Sequence, residues 1–280
     1  MTGLKVISLA SDGESHRGKA LANLTYVAPL APSSPIYDHL VHLHLMDYFV
    51  GPDDITADKD YKHIFKRLCN ALLRVNGCLV HGVRLTRAVI RKHFKDTGRF
   101  TDAHIGRVLD PSDKQDVVLA YDLLKDLWTL PPADPASSTL TYINTREALR
   151  IYGDLSWHLM FPYICVELSL SEQLEHLSMA IHLILALYVL DDARSDFIPN
   201  PLFIDISIMV KNAFFCVVKA KVDHPNEPFF LVLLGTDRLE SLFWILCTMV
   251  GNDANLDILQ LSLRITSTTE VSSILAKHLE

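Results

Sequence analysis

The stretch Asp60-Tyr-Lys-His63-Ile-Phe-Lys66-Arg-Leu-Cys-Asn70 decides how the first third of the chain folds. Its apolar residues recur at helical spacing, which predicts a basic helix running to Arg74. These apolar positions are Ile64, Phe65, Leu68, Leu72 and Leu73. Asp60 and His63 stand three apart and could share one helix face as a functional pair. The simpler interpretation is that Asp60 caps the helix.

Two further segments carry carboxylates where a strand ends or a helix begins. Ser11-Asp12-Gly13-Glu14 follows an apolar run, and Asp237-Arg-Leu-Glu240-Ser-Leu-Phe243 begins a helical pattern followed by Gly251-Asn252-Asp-Ala-Asn255. Carboxylates brought together in this way can hold divalent metal ions for phosphoryl transfer. Each segment also has a simpler interpretation, because Asp-Gly is a common turn pair and Asp237 with Glu240 fits a capping box.

The composition indicates a globular protein in a reducing compartment. The chain has 280 residues, of which 49% are hydrophobic and 21% charged. Its 5 cysteines lack CxxC spacing, which predicts free thiols and no zinc site. No basic-then-apolar leader precedes the first strand, so we expect a nuclear or cytoplasmic protein that is not secreted. The apolar runs at 179–190 and 229–234 are too short to cross a bilayer, so no membrane partner is expected.

Positive charge is concentrated in one segment. The net charge of −7 argues against a general nucleic-acid binder, yet residues 59–107 carry 12 Lys and Arg against 3 acids. This segment has a net charge of +9, which leaves −16 for the remainder because the whole chain is −7. The asymmetry predicts one basic surface on an acidic body, and the alternative is a solvated helical face without a ligand.

The periodicity of the chain predicts α/β elements at both ends and a long helical block between them. We expect a strand at Leu4–Ala10, a helix at Glu14–Leu24 and a second strand within Leu40–Val50. Residues 78–225 should be almost wholly helical, with a capping box at Ser169-Leu-Ser-Glu172. Three domains are predicted: 1–76, 77–228 and 229–280.

Other chemical motifs are weak or missing. The sequence has no P-loop, no GxGxxG after a strand, no HExxH and no GxSxG. His39, His42 and His44 lie close together, and His42 and His44 would share a face if this segment were a strand. We assign no metal to them, because ordinary surface or core histidines explain the pattern.

Taken together, the segments resemble the catalytic core of P-element and THAP-linked DDE transposases and their uncharacterised fungal relatives. That family has an RNase H-like core interrupted by a helical insertion. Asp12 matches its second catalytic Asp, and Glu240 matches its final catalytic acid. Further matching positions are Asp60, His63, Ile64, Lys66, Asn70, Asp237, Leu239 and Phe243. The resemblance extends over most of residues 6–265, although it rests on about ten positions.

The resemblance implies a fold, cofactors and a partner. The fold is α/β with mostly α content, an incomplete RNase H-like core split by an all-helical insertion. Asp12 and Glu240 would bind Mg²⁺ or Mn²⁺. Weak, non-specific DNA contacts would come from the basic helix. The expected contact residues are Lys62, His63, Lys66, Arg67 and Arg74.

The same family binds guanine nucleotide through its insertion, and GTP at Asp237 is the corresponding expectation here. Val118 stands where the family carries Lys, which argues against that nucleotide site. Cys69 and Cys247 replace two family arginines, as expected for a decaying copy.

The family's first catalytic Asp has no counterpart among the eleven residues before Asp12. We therefore expect a transposase-derived fragment that is catalytically inactive. Asp58 or Asp60 could replace the missing acid only if the fold placed one of them on the same edge as Asp12. We do not expect that placement, because Asp60 begins a helix. The alternatives are a non-enzymatic helical interaction protein, with these acids as caps and turns, and a guanine-nucleotide-binding module. The oligomeric state follows from none of these patterns.

Overall fold

The computed structural model describes residues 5–11, 15–190, 194–248, 259–262 and 264–265. The chain divides into two compact units, Met1–Leu234 and Gly235–Glu280, each described here by itself. The three predicted domains, 1–76, 77–228 and 229–280, stay predictions.

The first unit is mostly helical, with three small sheets. Its strands are β1 Ser8–Ser11, β2 Ala28–Pro29, β3 Phe49–Val50, β4 Thr56–Lys59, β5 Cys78–Val80 and β6 Val83–Leu85. Its helices are α1 Ser15–Thr25, α2 Tyr37–Leu40, α3 Tyr61–Leu72, α4 Arg87–Asp96, α5 Asp102–Leu109, α6 Val117–Trp128, α7 Leu140–Ile164, α8 Leu170–Val189, α9 Arg194–Phe197 and α10 Asn200–Asp223. Short 3₁₀ turns lie at Pro52–Asp54 and Leu231–Leu233. The second unit contains α11 Asp237–Thr248.

Local sequence signals locate the helices well. Asp60 caps α3 as the simpler interpretation predicted, because its carboxylate accepts the Lys62 and His63 amides. Ser169 and Glu172 form the complete capping box that begins α8. The predicted helix from Glu14 is confirmed as α1 over its described residues. Helices were also predicted where α4, α6, α10 and α11 lie.

The strand predictions are less accurate. β1 lies where a strand was expected, but it pairs in parallel with β4, from Ser8 opposite Thr56 to Ser11 opposite Lys59. The predicted strand at Leu40–Val50 is wrong over most of its length, since Leu40 ends α2 and β3 contains only Phe49–Val50. Leu40 and Val50 instead pack with Phe215 in a small apolar cluster.

The predicted helical block contains an unexpected β-hairpin. β5 and β6 pair in antiparallel, with Cys78 opposite Leu85. Gly77 precedes the hairpin at φ +64°, and a Cβ there would lie 2.1 Å from the Leu85 carbonyl oxygen. Only glycine fits this close approach without strain, so backbone geometry fixes the hairpin beside α3.

A large hydrophobic core joins α3 and the hairpin to the helices of the central block. α6 and α7 pack so closely that a Cβ on Gly153 would lie 2.6–2.7 Å from backbone atoms of Leu127 and Trp128. Tyr152 is fully buried in this core, where its hydroxyl donates to the Leu68 carbonyl at 2.8 Å. The core therefore fixes α3, with its basic outer side, on the helical body.

α10 contacts β4, α3 and α8. Among the described helices, it is the one that is long and apolar enough to cross a membrane by length and composition. α10 is also longer than the two apolar runs that were judged too short to cross a bilayer from the sequence. In the fold, 56% of its most apolar window is buried. Packing inside the unit accounts for that apolar composition.

Candidate nucleic-acid interface

The carboxyl ends of β1 and β4 form the edge on which the predicted acidic site depends. Asp12 follows Ser11 in sequence and lies outside the described residues. Asp58 pairs in register with Ala10, and the Asp60 amide donates to the Ser11 carbonyl at 3.4 Å. Asp58 and Asp60 therefore lie at the same sheet edge as Ser11, contrary to the expectation that they would not.

Both of these carboxylates are buried, and each accepts hydrogen bonds from backbone amides. Asp58 Oδ1 accepts the Lys59 amide at 2.8 Å. Asp60 Oδ1 accepts the Lys62 amide at 2.9 Å and the His63 amide at 3.1 Å. The two Asp60 hydrogen bonds fix the turn from β4 into α3, because they satisfy amides that the first helical turn leaves unpaired.

The predicted DNA-contact residues divide between two sides of α3. Lys62, His63 and Lys66 are half-exposed, and the Lys62 ammonium lies 5.9 Å from the Tyr61 ring centroid. Arg67 and Arg74 bind other parts of the chain. The arginine contacts are therefore structural, while the lysines lie on the outer side.

Arg67, which is half-exposed, joins a buried ion pair. Asp205 on α10 accepts from the Arg67 guanidinium and pairs with the Lys59 ammonium at 3.3 Å. Asp205 and Lys59 are both buried. The Asp205 carboxylate thus neutralises two cations of the basic segment. Asp205 lies 138 residues after Arg67 in the chain.

Arg74 holds the segment around α9 against the hairpin. Its Nε donates to the Gly77 carbonyl at 2.5 Å and its Nη1 to the Ser195 carbonyl at 2.8 Å. Its Nη2 donates to the carbonyls of Asp196 and Phe197. The planar guanidinium suits this role because it presents several donors in fixed directions.

Acids elsewhere in the fold neutralise much of the remaining positive segment. The exposed carboxylate of Asp110 binds Arg87 at 3.2 Å and Arg91 at 2.6 Å. Further pairs with acids outside the segment are Arg107 with Asp122 and Arg84 with Asp196. The net charge of the segment therefore overstates the positive charge that its surface offers to a ligand.

A basic strip lies on the outer side of α3. Lys62, Lys66 and Asn70 are four residues apart in succession, which brings them to one face of the helix. The Asn70 amide donates to the Lys114 carbonyl at 3.2 Å, and Lys114 is exposed. Lys62, Lys66 and Lys114 are called the outer strip here. Sequence reasoning missed Lys114, because only the tertiary contact brings it beside α3.

Glu240 lies in the second unit, near the start of α11. It is exposed, and its Oε1 accepts from the Thr236 hydroxyl at 3.2 Å. The Asp237 backbone begins α11, while its side chain lies outside the described part of the chain. The predicted approach of Asp12 to Glu240 stays a prediction, as does the GTP contact at Asp237.

The metal site is likewise untested. Across the described residues, no group of three or more His, Cys, Asp and Glu side chains is arranged to hold a metal ion. Of the two predicted ligands, Glu240 is a single exposed carboxylate, and Asp12 lies outside the described residues. Binding of Mg²⁺ or Mn²⁺ by this pair therefore stays a prediction.

Comparison with known proteins gives one structural likeness. The fold is similar to a solved structure described as the Drosophila P element transposase strand transfer complex, with a TM-score of 0.58 and 17% sequence identity. The likeness covers 94% of this chain and 59% of that one, so the chain spans about three fifths of that protein's length. No protein-family model matches the chain. No curated protein matches it either. The protein therefore has a transposase-like fold.

Proposed function

We propose that this chain is a transposase-derived protein that binds DNA weakly and without sequence preference. The observation that carries the proposal is the fold likeness to a transposase strand transfer complex over 94% of the chain. The sequence resemblance to P-element and THAP-type transposases supports it independently, because its motif positions follow in the same order. In this proposal, the β1–β4 pair belongs to an RNase H-like core.

The outer strip supplies the DNA contact. Lys66 is half-exposed and Lys114 is exposed, and neither takes part in an ion pair among the described residues. Each ammonium that contacts a phosphate releases a condensed counterion, which gives affinity without base readout. Arg67 and Arg74 contribute indirectly, by fixing α3 through their contacts inside the fold.

A titration against duplex DNA tests the outer strip. Fluorescence anisotropy is measured from low to moderate salt for the parent and for Lys62→Ala/Lys66→Ala. We expect weaker binding, and a slope of log K against log salt that is smaller by about two, because two phosphate contacts are lost. Lys125→Ala/Lys221→Ala is the matched control, since it removes the same charge from exposed positions elsewhere. Equal losses in both variants would show a general charge effect and overturn the assignment.

We further propose that the chain binds DNA without cleaving it. In an intact site, divalent metal would activate the nucleophile and stabilise the leaving oxygen. Asp12 and Glu240 would bind this metal ion. Asp58 and Asp60 lie on the right edge, but their Oδ1 atoms accept backbone amides, which favours a structural role.

Supercoiled plasmid incubated with Mn²⁺ tests this absence of turnover. We expect no nicking by the parent protein or by Glu240→Ala. Nicking by the parent that disappears in Glu240→Ala would show a working acidic site and overturn the proposal.

A non-enzymatic helical interaction protein is the second candidate. The observation that favours it is the capping of α3 by Asp60, as that hypothesis predicted for the motif acids. Metal titration separates the two functions. A transposase-derived site predicts Mn²⁺ binding that Glu240→Ala removes, whereas an interaction protein predicts none.

A further inference from the structure

A cleft of about 390 Å³ lies in the first unit, away from the outer strip. α8 and α10 form two of its walls, and Tyr26 and the turn at residues 42–47 close the third. Its apolar lining includes Leu43, Met46, Ile181, Leu185, Phe203 and Phe214. The volume lies at the lower end of the roughly 300–1,000 Å³ range of small-molecule sites, which suits two or three fused rings.

A neutralised ion pair forms the polar end of the cleft. The Lys211 ammonium is buried, 2.8 Å from Asp47 Oδ2, and also donates to the Phe49 carbonyl. It lies 4.5 Å from the Tyr26 ring centroid. Burial raises the pKa of Tyr26 to about 12, with Asp47 adding to the effect, so the phenol stays protonated. The protein itself thus satisfies the Lys211 charge and leaves no unpaired cation there for an anionic ligand.

Two other polar side chains that line the cleft present acceptors. The Ser207 hydroxyl donates to the Phe203 carbonyl at 2.9 Å, which leaves only oxygen lone pairs. His182 Nδ1 lies 2.7 Å from the Ser178 carbonyl oxygen. A carbonyl can only accept, so Nδ1 carries the proton, and in the neutral form of the ring Nε2 is an acceptor.

We propose that this cleft binds a small, uncharged aromatic molecule that carries a hydroxyl or N–H donor. The apolar walls bury the rings, and an acceptor from Ser207, His182 or Asp47 receives the donor. An anionic head would be desolvated beside a Lys211 ammonium that Asp47 already neutralises, so carboxylates are disfavoured. The proposal is independent of DNA binding, because the cleft shares no residue with the outer strip.

Three related probes test the ligand class. 2-Naphthol carries the donor, 2-methoxynaphthalene lacks it, and 2-naphthoate carries a charge. Isothermal titration calorimetry with the full chain should show saturable one-to-one binding of 2-naphthol. The other two probes should bind at least about 10-fold more weakly, since each loses a hydrogen bond or desolvates a charge. Equal or tighter binding of 2-naphthoate would overturn the proposed ligand class.

Two variants test the location. Ser207→Phe fills the cleft and should weaken 2-naphthol binding at least about 10-fold, whereas Ser171→Phe makes the same change at an exposed position of α8 and should leave binding unchanged. His182→Phe removes an acceptor from an exposed side chain, so it tests the site even if Ser207→Phe fails to fold. Far-UV circular dichroism checks the fold of each variant. If 2-naphthol does not bind the folded parent, or if folded Ser207→Phe and His182→Phe variants both bind it as the parent does, the proposal is wrong.

Discussion

The basic segment, residues 59–107, forms ion pairs on an inner side, which faces the rest of the fold, and on an outer side, which faces solvent. The two sides differ in how deeply their carboxylates are buried. On the inner side, the buried carboxylate of Asp205 joins Lys59 and Arg67. On the outer side, the exposed carboxylate of Asp110 joins Arg87 and Arg91. Each carboxylate bridges two cations, but Asp205 and Lys59 are buried whereas Asp110 is exposed. Net charge along a sequence therefore says little about how much charge a surface offers, because burial decides which ion pairs become part of the fold.

The largest expected effect separates the two bridging carboxylates. Asp205→Ala leaves Lys59 buried without its carboxylate partner, and we expect the free energy of unfolding to fall by about 3–5 kcal/mol. Asp110→Ala is the matched change on the outer side and should cost within about 1 kcal/mol, because water solvates both freed arginines. Urea unfolding of the three proteins gives the comparison. Similar losses in both variants would contradict the division into inner and outer sides.

A buried histidine of the same segment adds a pH test. His93 Nδ1 accepts from the buried Arg146 Nε at 3.0 Å. Burial, with the Arg146 charge beside it, lowers the pKa of His93 to about 4 from its ordinary 6.5. Between these values the unfolded chain binds a proton that the folded protein excludes. This contribution to stability is fully present above pH 6.5 and is lost as pH falls toward 4.

The loss should reach up to about 3 kcal/mol at pH 4. Unfolding at a series of pH values measures it. His93→Gln is the control, because it keeps a neutral hydrogen-bonding side chain and removes the titration. If His93→Gln keeps the full pH dependence of the parent between pH 6.5 and 4, other groups cause it.

Arg74 tests whether an inner arginine acts by geometry or by charge. Arg74→Ala removes the donors for four backbone carbonyls, and we expect a loss of about 2 kcal/mol. Arg74→Lys keeps the charge but not the planar donors, so it should restore only part of the stability. Thermal unfolding measures both. Full rescue by Lys would show that charge alone matters at this position.

The smallest expected effect lies on the outer strip. Lys62→Ala/Lys66→Ala should change the free energy of unfolding by no more than about 1 kcal/mol, because both side chains are half-exposed on a surface helix. The same variant weakens DNA binding in our proposal. A large loss of stability would place these lysines with the inner arginines and remove them from the interface.

The candidate interface was predictable only in part. Charge and helical periodicity selected Lys62, Lys66, Arg67 and Arg74 together. The periodicity correctly located the helix of the first three, whereas Arg74 lies beyond the end of α3 at Leu72. Which of them are structural depends on partners such as Asp205 and Ser195, more than 120 residues later. The cleft beside α10 was not predicted either, although His42 and His44 in its lining were noted as a cluster.

The sequence by itself determined most of the helices, because helical hydrogen bonds and caps connect residues within a few positions of one another. The Asp60 cap and the Ser169 capping box needed no distant partner. Tertiary structure decided the strands, because a strand is stable only beside its pairing partner. Thr56–Lys59 lacks the apolar character of a typical buried strand, since Asp58 and Lys59 occupy half of it. It is buried because β1 supplies the hydrogen bonds and Asp205 of α10 supplies the counter-charge.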